Sequence, residues 1–177
     1  LSYPSPGGTK PPLSEEGKLK DPRASSTERL VTREPLPVIS RRALNRINHQ
    51  APIPAACNCC GRAGVELVNN GEIYNGRSYG EWPYAYLCRS CGAYVGLHPG
   101  TDIPLGTLAD KPLRDDRQKG KAVFNQLWRD YMTRNQAYAW LAEAMRIDPK
   151  DCHFGLFDSE QCLQARILCA QYIKSRA

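Results

Sequence analysis

Long apolar runs are missing from this chain of 177 residues. No stretch approaches the roughly 20 apolar residues that cross a bilayer as a helix, so no transmembrane segment is expected. Histidine is scarce: His49, His98 and His153 are its only copies. That leaves little material for general acid–base chemistry, which uses histidine more often than any other side chain. No phosphate loop and no nucleophile elbow is recognised. A zinc deaminase needs a glutamate two residues after its ligand histidine, whereas Pro99 and Gly100 follow His98. These gaps make a protein without enzymatic activity the expectation. An initiator methionine is lacking too. A start at Leu1 is expected of a fragment, or of a chain whose leader has been removed.

Cysteine, by contrast, is plentiful, with eight copies. Two short knuckles, Cys57-Asn58-Cys59-Cys60-Gly61 and Cys88-Arg89-Ser90-Cys91-Gly92, each set two thiols three residues apart and follow them with glycine. Four thiolates in the pattern C-x₂-C…C-x₂-C close a tetrahedron around one zinc ion at about 2.3 Å per bond. Glycine suits the last position because the chain turns tightly there, often at positive φ, to aim backbone N–H groups at sulfur. Cys57, Cys60, Cys88 and Cys91 are therefore the expected ligands of one structural Zn²⁺. Cys59 stands inside the first knuckle as an alternative ligand, although Gly61 favours the Cys57 and Cys60 register. Such knuckles point to an intracellular, reducing compartment rather than to a disulfide scaffold. Cys152 and Cys162 have the spacing of a twin-disulfide helical hairpin but lack its second pair. Cys162 and Cys169 share a helix face and read as small core residues. A second metal site at Cys152, His153 and Cys162 is the alternative.

Three regions follow from composition. Residues 1–56 hold nine of the fourteen prolines and few large apolar side chains. Alone they cannot offset the entropy of being ordered, and they read as a long extended arm. One helical turn is expected after Ser40 as N-cap, where Ala43, Leu44 and Ile47 separate from Arg41, Arg42 and Arg46. Residues 57–100 read as a zinc ribbon. Val65–Val68, Tyr84–Leu87 and Ala93–Leu97 are its strands, with Asn69-Asn70-Gly71 and Asn75-Gly76 as turns. Residues 101–177 read as a helical subdomain packed on the ribbon. Asp110 caps its first helix, whose apolar side includes Leu113, Val123, Phe124, Leu127, Trp128 and Tyr131. Thr133 with Gln136 and Asp158 with Gln161 are capping boxes for two more helices. The expected class is α+β: a β-hairpin ribbon on about three C-terminal helices.

Several blocks together resemble a zinc-finger-containing domain family of unknown function, found mainly in bacteriophage and bacterial proteins. The blocks are Cys91-Gly92-Ala93-Tyr94-Val95-Gly96-Leu97-His98-Pro99-Gly100-Thr101 and Pro104-Leu105-Gly106-Thr107-Leu108-Ala109-Asp110. Tyr74-Asn75-Gly76-Arg77-Ser78-Tyr79-Gly80 is similar to the family's Y-G-R-S-Y-G stretch, with one residue inserted. Ala137–Ala142 and Cys152–Asp158 look like its later blocks. The resemblance spans roughly residues 57 to 165 and implies the ribbon-plus-helices architecture and a bound zinc. It implies no activity. Where members commonly show A-H-x-x-F-D, this chain has Gly120-Lys121-Ala122-Val123-Phe124-Asn125, so both the histidine and the acid are replaced.

Charge bears on partners. Residues 57–100 set Arg62, Arg77 and Arg89 against Glu66, Glu72 and Glu81. Four thiolates around Zn²⁺ add a net −2, so the ribbon lacks the concentrated basic charge that phosphate binding requires. The surplus lies in the arm, with nine basic residues against five acidic, and in residues 101–135, with seven against five. Lys111, Arg114, Arg117, Lys119 and Lys121 form a candidate basic stripe interrupted by Asp115 and Asp116; a solvated helix face is the plainer reading. His98 follows Cys91 closely enough to lie near the zinc, yet lacks the companions of a catalytic metal with open positions. The expectation is a non-enzymatic zinc-binding accessory subunit of a larger assembly, a mitochondrial complex being one setting, whose arm clamps partner subunits. The alternative is a nucleic-acid-associated zinc protein, in a ribosome-like particle or in phage or host transcription, that holds RNA or DNA through the basic arm. No small-molecule substrate is expected.

Overall fold

The structure, a computed structural model, describes residues 21–48 and 51–176. What is expected of residues 1–20, His49, Gln50 and Ala177 lies outside the described residues. In chain order the elements are α1 (Arg41–Leu44), β1 (Val65–Asn69), β2 (Tyr84–Cys88), β3 (Tyr94–Gly96), α2 (Lys111–Asp130), α3 (Arg134–Met145) and α4 (Ser159–Arg176). The class is α+β, as expected.

Three antiparallel strands form one sheet with β2 in the middle. Val65 pairs with Cys88 and Leu67 with Tyr86, while Ala85 pairs with Gly96 and Leu87 with Tyr94. The β1–β2 register places the foot of the first strand beside Cys88, so strand pairing itself carries the second knuckle towards the first.

Residues 101–109 depart from the expected boundary at 101. They run beside the ribbon before any helix begins. Leu97 bridges to Pro104 and Tyr94 to Ala109; Ile103 and Leu108 are buried against the sheet and the knuckles. Backbone hydrogen bonds explain the choice, since Leu105 N–H donates to Gly96 and Ala109 N–H to Tyr94. Each bond satisfies a polar group that the edge of β3 would otherwise leave unpaired.

Residues 21–48 require a larger correction. Expected to reach out and clamp partner subunits, this part of the arm lies on the chain's own sheet. Leu36, Ile39, Leu44 and Ile47 are buried with Tyr86, Leu97 and Ile103 in one cluster. Each such side chain contributes roughly 1.5–3 kcal/mol when buried, so four together offset much of the segment's ordering cost. The physical reason is that the sheet supplies the apolar surface the arm lacks. Ser40 does cap α1, accepting from Ala43 N–H, and Ser40 N–H donates to Gly100 O at 2.9 Å. Arg23 ties the far end down. Its guanidinium donates to both oxygens of the buried Asp102, at 2.8 and 2.9 Å, and grips Asp21 at 2.7 Å.

The helical half has its own core, centred on Phe124, Leu127, Leu141, Phe154 and Phe157. Every expected cap is present. Asp110 accepts from Leu113 N–H, Thr133 and Gln136 form the capping box, and Asp158 and Gln161 bond reciprocally at 2.8 and 3.1 Å. Two devices join this half to the ribbon. Gly106 and Gly155 cross so closely that a Cβ on Gly106 would meet Gly155 O at 2.1 Å. Arg117 spans the seam, donating to Phe157 O, Thr107 O and Thr107 Oγ1 at 2.6–3.0 Å. Arg117 thus faces inward and leaves the candidate stripe. Arg114 leaves it too, donating to Ala109 O and stacking on Tyr94. Lys111 and Lys119 pair with Asp115 and Asp116 along the helix surface.

Candidate metal centre

The two knuckles are built alike. In the first, Cys57 N–H donates to Arg62 O and Gly61 N–H to Cys57 O; in the second, Cys88 N–H donates to Ala93 O and Gly92 N–H to Cys88 O. Gly61 and Gly92 take φ of 71° and 73°, the left-handed region that favours glycine. Each turn leaves two sulfurs on its inner side. The ligand atoms of Cys57, Cys60, Cys88 and Cys91 all lie within 4.8 Å of one another.

Sulfur spacing tests whether this set fits zinc. Four ligands at about 2.3 Å from a tetrahedral centre stand about 3.8 Å apart. Cys57 Sγ and Cys91 Sγ are 3.6 Å apart, and Cys60 Sγ and Cys88 Sγ 3.7 Å. No pair is a disulfide. Backbone amides already face the sulfurs, Cys59 N–H pointing at Cys57 Sγ at 3.4 Å. At Cys88 burial favours the neutral thiol, but the amides of Cys91 and Ser90 and the neighbouring thiols outweigh it and bring the group down to about 6. Cys91 goes the other way. The Ala93 amide favours its thiolate, yet desolvation and the three neighbouring sulfurs push it up to about 12. So close a cluster cannot hold four negative charges without a cation. The residues fit one structural zinc, and four thiolates leave it no open position.

The remaining cysteines are elsewhere. Cys59 stands beside Cys57 but outside the four-sulfur set, its thiol contacting Leu108 O at 3.5 Å, which sets the register as Cys57 and Cys60. Asn58 reinforces that contact, donating to the same oxygen at 2.9 Å. Cys152, Cys162 and Cys169 are buried in the helical core, where burial raises their thiols to about 11, 11 and 12. They form no metal cluster with His153, which is exposed; among the described residues only the four knuckle cysteines do so.

His98 sits past the end of β3, its N–H bonded to Ile103 O, and outside the metal cluster. With His153, Arg46 and Leu156 it lines an open cleft of about 750 Å³ between α1 and the 150–156 loop. Burial lowers its pKa, so it is neutral at pH 7. One pattern in the sequence runs contrary to expectation. Gly76-Arg77-Ser78-Tyr79-Gly80 spells the Gly-x-Ser-x-Gly of a nucleophile elbow. The match is in spelling alone, because an elbow needs a strand before the serine and a helix after it. Here the segment lies in the β1–β2 connection and Ser78 Oγ donates to Asn69 Oδ1 at 2.6 Å.

Neither the curated proteins nor the solved structures contain a match to this chain. A family model does match, over residues 53–172, from just before the first knuckle into α4. That span covers more than half of the chain, holds all four zinc ligands, and excludes the docked segment 21–48. The chain belongs to the family described as a zinc-finger-containing domain.

Proposed function

We propose that this protein is a non-catalytic, zinc-stapled accessory subunit of a larger assembly. The observation that carries the reading is the four-cysteine cluster: its four thiolates would fill the shell of a zinc ion and leave no site for water or substrate. A metal of this kind replaces hydrophobic core in a module too small to build one. The cysteine chemistry suits a reducing compartment. Within residues 21–48, Leu36, Ile39, Leu44 and Ile47 are spent on the chain's own sheet, while Val31 and Val38 stay exposed to whatever the arm meets.

Binding to RNA or DNA through basic residues is the weaker reading. Of the arm's cations, Arg41 is engaged by the carbonyls of Ser26 and Glu28, and of the separate stripe Arg114 and Arg117 are used internally. The deciding experiment is purification of the native protein at low and high salt, with identification of whatever accompanies it. A stoichiometric protein complex that survives 0.5 M salt is the expected result. Co-purifying RNA that is lost steeply with salt, or turnover that disappears in His98→Ala, would sink the proposal.

A further inference from the structure

Helix α4 has two apolar faces, and the fold uses one of them. Cys162, Ala165 and Cys169 are buried in the helical core, with Leu168, Tyr172 and Ile173 packed against it. On the opposite side Glu160, Leu163, Ile167, Ala170 and Lys174 all stand exposed. Their spacing alternates between three and four residues, the a and d positions of a heptad, so they line one narrow seam along the helix. Leu163 and Ile167, one turn apart at its middle, are 46% and 47% exposed.

The two ends of the seam differ in sign. Glu160 lies in the first turn of α4 and Lys174 in the last. Neither forms an ion pair among the described residues. At 1.5 Å of rise per residue they stand about 21 Å apart, too far to pair within one chain. The helix dipole accounts for the sign at each end. It does not account for the leucine and isoleucine left in water between them.

We propose that this seam is a self-association surface, on which a second copy of the chain lays its own α4 antiparallel. The seam is complementary to itself in that arrangement. Leu163 and Ile167 of one copy meet Ile167 and Leu163 of the other, and the small Ala170 lets the helices approach. Glu160 of each copy comes within reach of Lys174 of the other, twice per pair, and the helix dipoles oppose favourably. A parallel pair would instead set Glu160 against Glu160 and Lys174 against Lys174. Gln164 and Gln171 flank the seam on one side and Arg166 on the other. Arg166 faces its own counterpart across the two-fold axis, a repulsion that holds the affinity down. The seam's five residues a side also fall short of the roughly 20–30 of a standard interface. The pair is therefore a weak one, with a Kd on the order of 10–100 µM. None of this depends on the accessory-subunit reading, because the partner is the chain itself.

The test is sedimentation equilibrium on the full zinc-loaded chain, from about 5 µM to about 1 mM. The average mass should rise from that of one chain towards that of two. Leu163→Glu, at an exposed position, should hold it at one chain throughout, with zinc content and helical circular dichroism unchanged. Charge reversal tests the orientation. Glu160→Lys and Lys174→Glu should each weaken association about fivefold or more, and the double reversal should restore it. Both reversals run against the helix dipole, so restoration reports the pairing between copies and not a gain in helix stability. A mass of one chain at every concentration, association indifferent to Leu163→Glu, or single reversals that the double does not repair would each overturn the proposal. Copy number is read on the isolated chain, so its outcome is separable from that of the co-purification.

Discussion

The chain uses cysteine in two opposite ways, one in each half. Cys57, Cys60, Cys88 and Cys91 are drawn together by two turns and a strand register, with amides aimed at their sulfurs. Cys152, Cys162 and Cys169 are buried among Phe124, Phe154 and Phe157, where burial keeps them as neutral thiols. Thiolate character and metal go with the half whose core is small, and inert packing with the half whose core is large. A cysteine is therefore a ligand or a filler according to the backbone amides around it.

The sharpest way to break this contrast is to remove the metal. Cys88→Ser, or chelation of the wild type, should abolish the ribbon's protection from amide exchange, since structural zinc supplies about 10–16 kcal/mol in small zinc modules. Protection in α2 to α4 should persist. Loss of both halves together would mean that the helical core does not hold by itself. Next in size, Phe124→Ala should cost about 3–5 kcal/mol, read by thermal unfolding, and leave one zinc per chain by metal analysis. A smaller effect follows from pH. The helical thiols have pKa values raised above the ordinary 9.0 to about 11 and 12. A raised value favours the folded state below pH 9, and that contribution is lost as pH climbs towards 11. Melting temperature should fall over this window, and Cys152→Ala should flatten the fall; an unchanged slope would remove the buried-thiol explanation. Smallest of all, Cys59→Ser should alter stability by less than about 0.5 kcal/mol and leave zinc stoichiometry at one.

The contrast also explains what was legible in advance. Knuckles and caps are local, so Cys57, Cys60, Cys88 and Cys91, Asp110, Thr133 and Asp158 could be read from spacing of a few residues. The docking of residues 21–48 could not. Leu44 and Ile47 show as the apolar side of one short turn, but Pro35 and Pro37 break any pattern that would join them to Leu36 and Ile39, and the partners of all four lie some fifty residues on. Residues 101–109 carry no element signal because they pair by isolated bridges. Arg114 and Arg117 look like surface charge until the seam they cross is known. The exposed tyrosines Tyr74 and Tyr79 fall in blocks that resemble the family, yet the face they share with Tyr94 depends on a loop fold that spacing alone does not convey.

The crossing of Gly106 and Gly155 has a mechanical consequence. Two backbones in contact, with Thr107 N–H donating to Gly155 O at 2.9 Å and Arg117 bolted across them, form a rivet rather than a hinge. Load applied to the tyrosine tip of the ribbon is then borne by α2 and α4 without slack. In the assembly proposed above, the chain would serve as a rigid bracket, setting a fixed angle between whatever grips its two ends.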